Sequence, residues 1–156
     1  MEAFAKETGL WISFGEIYSL GHMGPSGSEN DTFIDDGFIY KMNNLMHHGG
    51  LVSNLFQRIE WHNELFPNTH YTLAGFTGFE GRSVYPILRQ TFIVDALLPT
   101  MDELRDFMTR LGFTPTDIEH QWSNGTYTIG DICPRNVLKD SKGYFYVIDA
   151  EIDKLQ

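Results

Sequence analysis

Two short apolar runs, Val137-Leu138 and Tyr144–Ile148, flank the turn sequence Asp140-Ser-Lys-Gly143, and together they constrain this chain more than any other feature. Runs of that kind around a glycine-containing turn form a β-hairpin. Antiparallel strands bring the residues at their open ends together, so Asn136 and Asp149, thirteen positions apart, are predicted to lie side by side. A carboxylate at the end of an apolar strand needs a partner, and a metal ion is one. Just upstream, Asp131 precedes Asn136 by five positions with Pro134 between them. Taken alone, that pair is also ordinary turn chemistry, because both side chains cap backbone groups.

The rest of the chain supplies a setting for this hairpin. Asp36-Gly37 between β-branched and aromatic residues predicts two antiparallel strands over 31–43, and a further strand is expected near Glu16–Leu20. Gly21–Asn30 between them is a glycine-rich, polar loop. Leu51, Leu55, Ile59, His62 and Phe66 recur at helical spacing until Pro67 stops the pattern. Strands are predicted at Tyr71–Phe76 and Val84–Val94, with a turn over Gly75–Arg82. Thr100 as N-cap, Glu103 as its capping-box partner and Gly112 as stop predict a second helix, with Met101, Leu104, Phe107, Met108 and Leu111 on its apolar face. The order is three strands, a helix, two strands, a helix, a loop and a hairpin, an α+β chain.

A chain of 156 residues with 42% apolar residues suits one core, or two small lobes sharing a cleft. Its formal charge of -10 disfavours nucleic acid and anionic membranes as partners, since both need a basic footprint. The single cysteine, Cys133, excludes an intrachain disulfide, and no stretch is apolar enough to span a bilayer, so a cytoplasmic protein is expected. The six histidines form no recognised zinc motif; His62, like Trp11, Trp61 and Trp122, is read as a packing residue. Cys133 has no paired base that would make it a nucleophile.

Oxygen-bearing Asp and Asn suit Mg²⁺, and phosphoryl transfer asks for such ligands, a cation on the phosphates and a residue orienting the nucleophile. Asp131 and Asn136 resemble the ends of the protein-kinase catalytic loop, and Asp149 resembles the metal-binding Asp that follows it. The similarity runs in order from about Glu16 to Glu151. Gly37–Lys41 resembles the third strand of a kinase N-lobe. Among kinases the chain is most similar to the compact kinase domains of polyvalent proteins of bacterial mobile elements, on the Tyr40-Lys41 strand, Asn63–Pro67, Asn136-Val-Leu and Val147-Ile-Asp149.

The resemblance implies a minimal kinase-like fold in one domain over 1–156, with an antiparallel N-lobe-like sheet and one helix over about 16–92. A truncated C-lobe of helix, catalytic loop and hairpin would follow over 93–156. It implies ATP and Mg²⁺ as cofactors. Asp131 would orient or deprotonate the acceptor hydroxyl, and Asn136 and Asp149 would hold the metal. Lys41 would meet the phosphates and pair with Glu60, or with Glu64 one turn later. Gly24 and Gly27 would contact the nucleotide, as would Gln90 and Phe92 in the hinge.

The sequence departs from the family pattern at three places: Ile129-Gly130-Asp131 stands for His-Arg-Asp, Ala150-Glu151 for Phe-Gly, and no Gly-x-Gly-x-x-Gly occurs. The chain ends seven residues past Asp149, so the segment that seats a peptide is not expected. The reading is a phosphotransferase acting on a protein or small-molecule acceptor. Its alternatives are an inactive pseudokinase or nucleotide-binding interaction module, and a small-molecule kinase of the aminoglycoside type. Acceptor and oligomeric state stay open.

Overall fold

Asp36 and Gly37 take φ of +41° and +88°, the two left-handed positions that a tight hairpin of the I′ kind requires. In the computed structural model, which describes residues 1–156, they join two strands of six residues each. The chain begins with helix α1 (Glu2–Glu7) and continues through β1 (His22–Met23), β2 (Asn30–Asp35), β3 (Phe38–Asn43), helix α2 (Val52–Leu65), β4 (Thr72–Phe79) and β5 (Ser83–Thr91). These strands form one antiparallel sheet in the order β1-β2-β3-β5-β4. Then come helix α3 (Met101–Arg110) and the strands β6 (Thr114–Pro115), β7 (Trp122–Ser123), β8 (Tyr127–Gly130), β9 (Val137–Lys139), β10 (Phe145–Val147) and β11 (Glu151–Lys154). The fold is mixed α and β. No helix is long and apolar enough to cross a membrane.

The chain divides into two compact units, Met1–Phe56 with Tyr71–Phe92, and Gln57–His70 with Ile93–Gln156. In the first unit, successive side chains of each strand alternate between the two faces of the sheet. One face carries Phe33, Tyr40, Met42 and Ile87, packed against Ile12, Phe14, Ile17 and Leu20. Residues 16–20 are therefore not the expected strand. Ser13 and Glu16 cap each other's backbone N–H, at 3.3 and 3.4 Å, and wind Glu16–Ser19 into a 3₁₀ turn that buries Ile17.

The expected turn over Gly75–Arg82 is also revised, because β4 runs on to Phe79 and only residues 80–82 turn. Gly75 and Gly78 are close-approach glycines: a Cβ would come within 2.6 Å of the Leu10 carbonyl oxygen at the first and 2.0 Å of the Ser83 carbonyl oxygen at the second. The Leu10 carbonyl and the Ile12 N–H bond Phe76 and so cover the edge of β4.

In the second unit, Thr100 and Glu103 form the predicted capping box on α3. Leu104, Phe107 and Met108 face inward, whereas Met101 and Leu111 stay exposed, so the apolar face is narrower than the sequence spacing suggests. Leu104 and Met108 pack with Phe113, Ile129, Val137, Val147 and Ile152. Each such buried side chain contributes roughly 1.5–3 kcal/mol. The stretch expected to be loop between helix and hairpin, together with the final residues, forms a second sheet, β11-β8-β7-β6. The hairpin itself is a separate two-stranded sheet of β9 and β10.

Candidate functional site

In the first unit, the register places Thr32 opposite Lys41, Lys41 opposite Leu88, and Ile39 opposite Gln90. Residues directly opposite share a face, and so do residues two apart on one strand. Thr32, Lys41, Asn43 and Gln90 thus lie on the face away from the Ile17 cluster, and all four are buried. Lys41 is 7% exposed and Gln90 1%. A face meant only for packing carries apolar side chains; a row of buried polar ones is retained for a ligand or a network. Phe92 extends the ladder by donating its N–H to the Gly37 carbonyl at 2.8 Å.

The glycine-rich stretch is more structured than a loop, because His22 and Met23 pair with Ile34 and Phe33. The Gly24 N–H donates to the Thr32 carbonyl and the Gly27 N–H to the Asn30 carbonyl, both at 3.0 Å. A Cβ on Gly24 would meet Thr32 Oγ1 at 2.6 Å. Behind this stretch, Glu29 accepts from Asn43 Nδ2 at 2.8 Å and pairs with His48 Nε2 at 2.5 Å. Burial raises the Glu29 carboxyl, but the bonds from His48 and Asn43 outweigh it and hold the group below the usual carboxylate range.

In the second unit, three contacts gather Asp131, Asn136 and Asp149. Gly130 of β8 pairs with Glu151 of β11, so Asp131 and Asp149 leave that ladder at the same end. Val137 pairs with Val147, and the Asn136 carbonyl accepts from the N–H of Ile148 at 2.9 Å and of Asp149 at 3.4 Å. The Asn136 side chain, 7% exposed, donates from Nδ2 to the Asp131 carbonyl at 2.9 Å. A carbonyl only accepts, so the amide's orientation is settled and its oxygen is turned away from the loop backbone.

Asp131 sits at φ +61°, the left-handed region where a non-glycine residue is strained. Its carboxylate meets Arg135 Nη2 at 3.2 Å. Cys133 is buried beside it, and burial together with the Asp131 charge pushes the thiol's pKa up, which keeps it a thiol. The two glutamates of α2 differ: Glu64 accepts from the Tyr127 hydroxyl at 3.0 Å, while Glu60 lies exposed.

Two supports had no sequence signal. Thr69 Oγ1 donates to the Val147 carbonyl at 2.7 Å, and His62 Nε2 bonds Thr69; this fixes the end of β10, two residues before Asp149. Tyr71, just ahead of β4, bonds Lys41. A cavity of about 480 Å³ lies elsewhere in the first unit, lined by Trp11, Phe14, Phe79 and Arg82 among others, and includes none of the predicted site residues.

The donors present fit Mg²⁺: Asp149 and Asn136 offer hard oxygens, and Mg²⁺ takes one or two such side chains with phosphates and waters completing its shell. No group of three or more His, Cys, Asp or Glu could hold an ion unaided.

A family model described as a serine/threonine/tyrosine kinase found in polyvalent proteins matches residues 1–155. Neither the curated proteins nor the solved structures yielded a match.

Proposed function

Because this chain belongs to the family of serine/threonine/tyrosine kinases found in polyvalent proteins, we propose that it transfers the terminal phosphoryl group of ATP to a hydroxyl with the help of Mg²⁺. The observation that carries this reading is the tie between Asn136 Nδ2 and the Asp131 carbonyl at one end of the β9–β10 hairpin. It supports a site in which an acceptor-orienting carboxylate and two oxygen ligands share one corner. Asp131 receives or orients the acceptor's proton as its oxygen bonds to the γ-phosphorus. The bond from that phosphorus to the bridging oxygen breaks, and its electron pair leaves with ADP. Asn136 Oδ1 and Asp149 would hold Mg²⁺, which would supply positive charge against the phosphates. Lys41 meets the phosphates. Gln90 and Phe92 take the hinge position.

Purified chain with ATP, Mg²⁺ and protein or small hydroxyl acceptors is expected to transfer phosphate, and Asp131→Ala to stop transfer while retaining Mg·ATP binding. Equal transfer by that variant would overturn the role of Asp131.

A second reading, nucleotide binding without transfer, is favoured by the Gly24 and Gly27 amides, which are spent on Thr32 and Asn30 rather than offered to phosphates. It predicts a Mg²⁺-dependent stabilisation by ATP that Asp149→Ala removes, with no turnover over hours.

A further inference from the structure

Lys41 is a cation on a nearly buried side chain, and burial of an ammonium is costly unless its donors find acceptors. The register shows one residue that reaches it. Leu88 lies opposite both Lys41 on β3 and Leu73 on β4, so Leu73 shares the Lys41 face. Tyr71 stands two positions before Leu73 and projects to that face as well. There its hydroxyl accepts from Lys41 Nζ at 3.0 Å, and the ammonium lies 5.0 Å from the centre of the phenol ring. The two distances place the ammonium at the oxygen end of the ring, where the phenol supplies a lone pair.

We propose that Tyr71 is a positioning residue for Lys41, one that fixes the direction of the ammonium without cancelling its charge. A carboxylate in the same place would hold the lysine equally well but would neutralise it. Tyr71 is uncharged, so its bond adds direction to the ammonium without adding a negative charge beside it. The bond also restricts a side chain with four rotatable carbons, which lowers the entropy lost when phosphate arrives. The inference rests on Lys41 being the phosphate-binding cation. The geometry of the Tyr71–Lys41 pair stands independently of that.

The test uses the whole chain and two variants, Tyr71→Phe, which keeps the ring, and Tyr71→Leu, which removes both contacts. The first readout needs no activity: the acylation rate of Lys41 by a small amine-reactive ester at fixed pH, measured by mass spectrometry against exposed Lys142. Tyr71→Phe is expected to raise the relative rate about threefold or more, because a phenol oxygen accepting from the ammonium favours its protonated form. Tyr71→Leu should raise it at least as much. An unchanged ratio in both variants overturns the proposal. The second readout is phosphoryl transfer, where Tyr71→Phe is expected to raise KM for ATP several-fold with kcat within twofold and the melting temperature unchanged. A fall in kcat at constant KM would also overturn it. If the acylation ratio responds but ATP neither binds nor reacts, the function proposed above fails and the positioning of Lys41 by Tyr71 survives.

Discussion

The backbone carbonyl of Asn136 accepts hydrogen bonds from two consecutive residues, the N–H of Ile148 at 2.9 Å and that of Asp149 at 3.4 Å. The pair is joined by the backbone at one level and by a shared ion, in the function proposed, at the next. Asp149→Asn changes charge with little change of shape and is expected to weaken Mg·ATP by roughly tenfold or more, about 1.4 kcal/mol. Isothermal titration at several Mg²⁺ concentrations measures it; equal affinity in both proteins would remove Asp149 from the metal.

Asn136→Ala should cost stability as well as binding. It strips the Asp131 carbonyl of its 2.9 Å donor inside a loop already held at φ +61°. Losing this bond at a half-buried acceptor costs about 0.5–1.5 kcal/mol, to be read from urea unfolding.

The strain at Asp131 separates folding from function. Glycine adopts φ +61° without penalty and alanine does not, so Asp131→Gly is expected to be more stable than Asp131→Ala by about 1 kcal/mol, although both lose transfer. Equal stability of the two variants would show that the loop relaxes around position 131.

Thr69→Val tests the support beneath the hairpin. It removes the 2.7 Å bond to the Val147 carbonyl and a partner of His62, both in the core. A loss of about 1–3 kcal/mol is expected, together with faster amide exchange at Val147–Asp149. Exchange unchanged at those residues would show that β10 is held without Thr69.

The half-buried Glu29 predicts acid sensitivity. Its folded pKa lies below the ordinary value of 4.5, so the bonds from His48 and Asn43 add stability that is fully present above about pH 4.5 and is lost as pH falls through the lowered folded value. Glu29→Gln lacks this contribution. Melting curves should show the parent more stable than the variant at neutral pH, with the gap narrowing below pH 4.5; a constant gap would assign the difference to packing.

What could be read beforehand follows from how local the signals are. Asp36-Gly37 and the Thr100–Glu103 capping box declare themselves within four residues, because each meets a backbone requirement of its own turn. The Asn136–Asp149 hairpin was equally legible, since two apolar runs and a polar turn specify it. The β11-β8-β7-β6 sheet was not: β6 and β7 have two residues each, too short for any periodicity, and β8 and β11 meet across twenty intervening residues. Gly75 and Gly78 read as turn residues because a glycine needed for close approach, as at Gly75, or for a positive φ within a strand, as at Gly78 (φ +146°), looks the same in sequence as one in a turn. Tyr71 escaped notice because its link to Lys41 depends on a register across three strands.

The pairing of Val137 with Val147 also bears on how relatives of this chain can vary in length. Residues added at the Asp140–Gly143 tip lengthen the turn and leave both open ends where they are. A single residue added within 137–139 or 145–147 reverses which face every later side chain on that strand presents, and turns Asn136 or Asp149 away from its neighbour. The thirteen-residue interval between them is therefore elastic at its far end and parity-bound along its length, so an alignment that seeks a fixed spacing will miss relatives that keep the same corner.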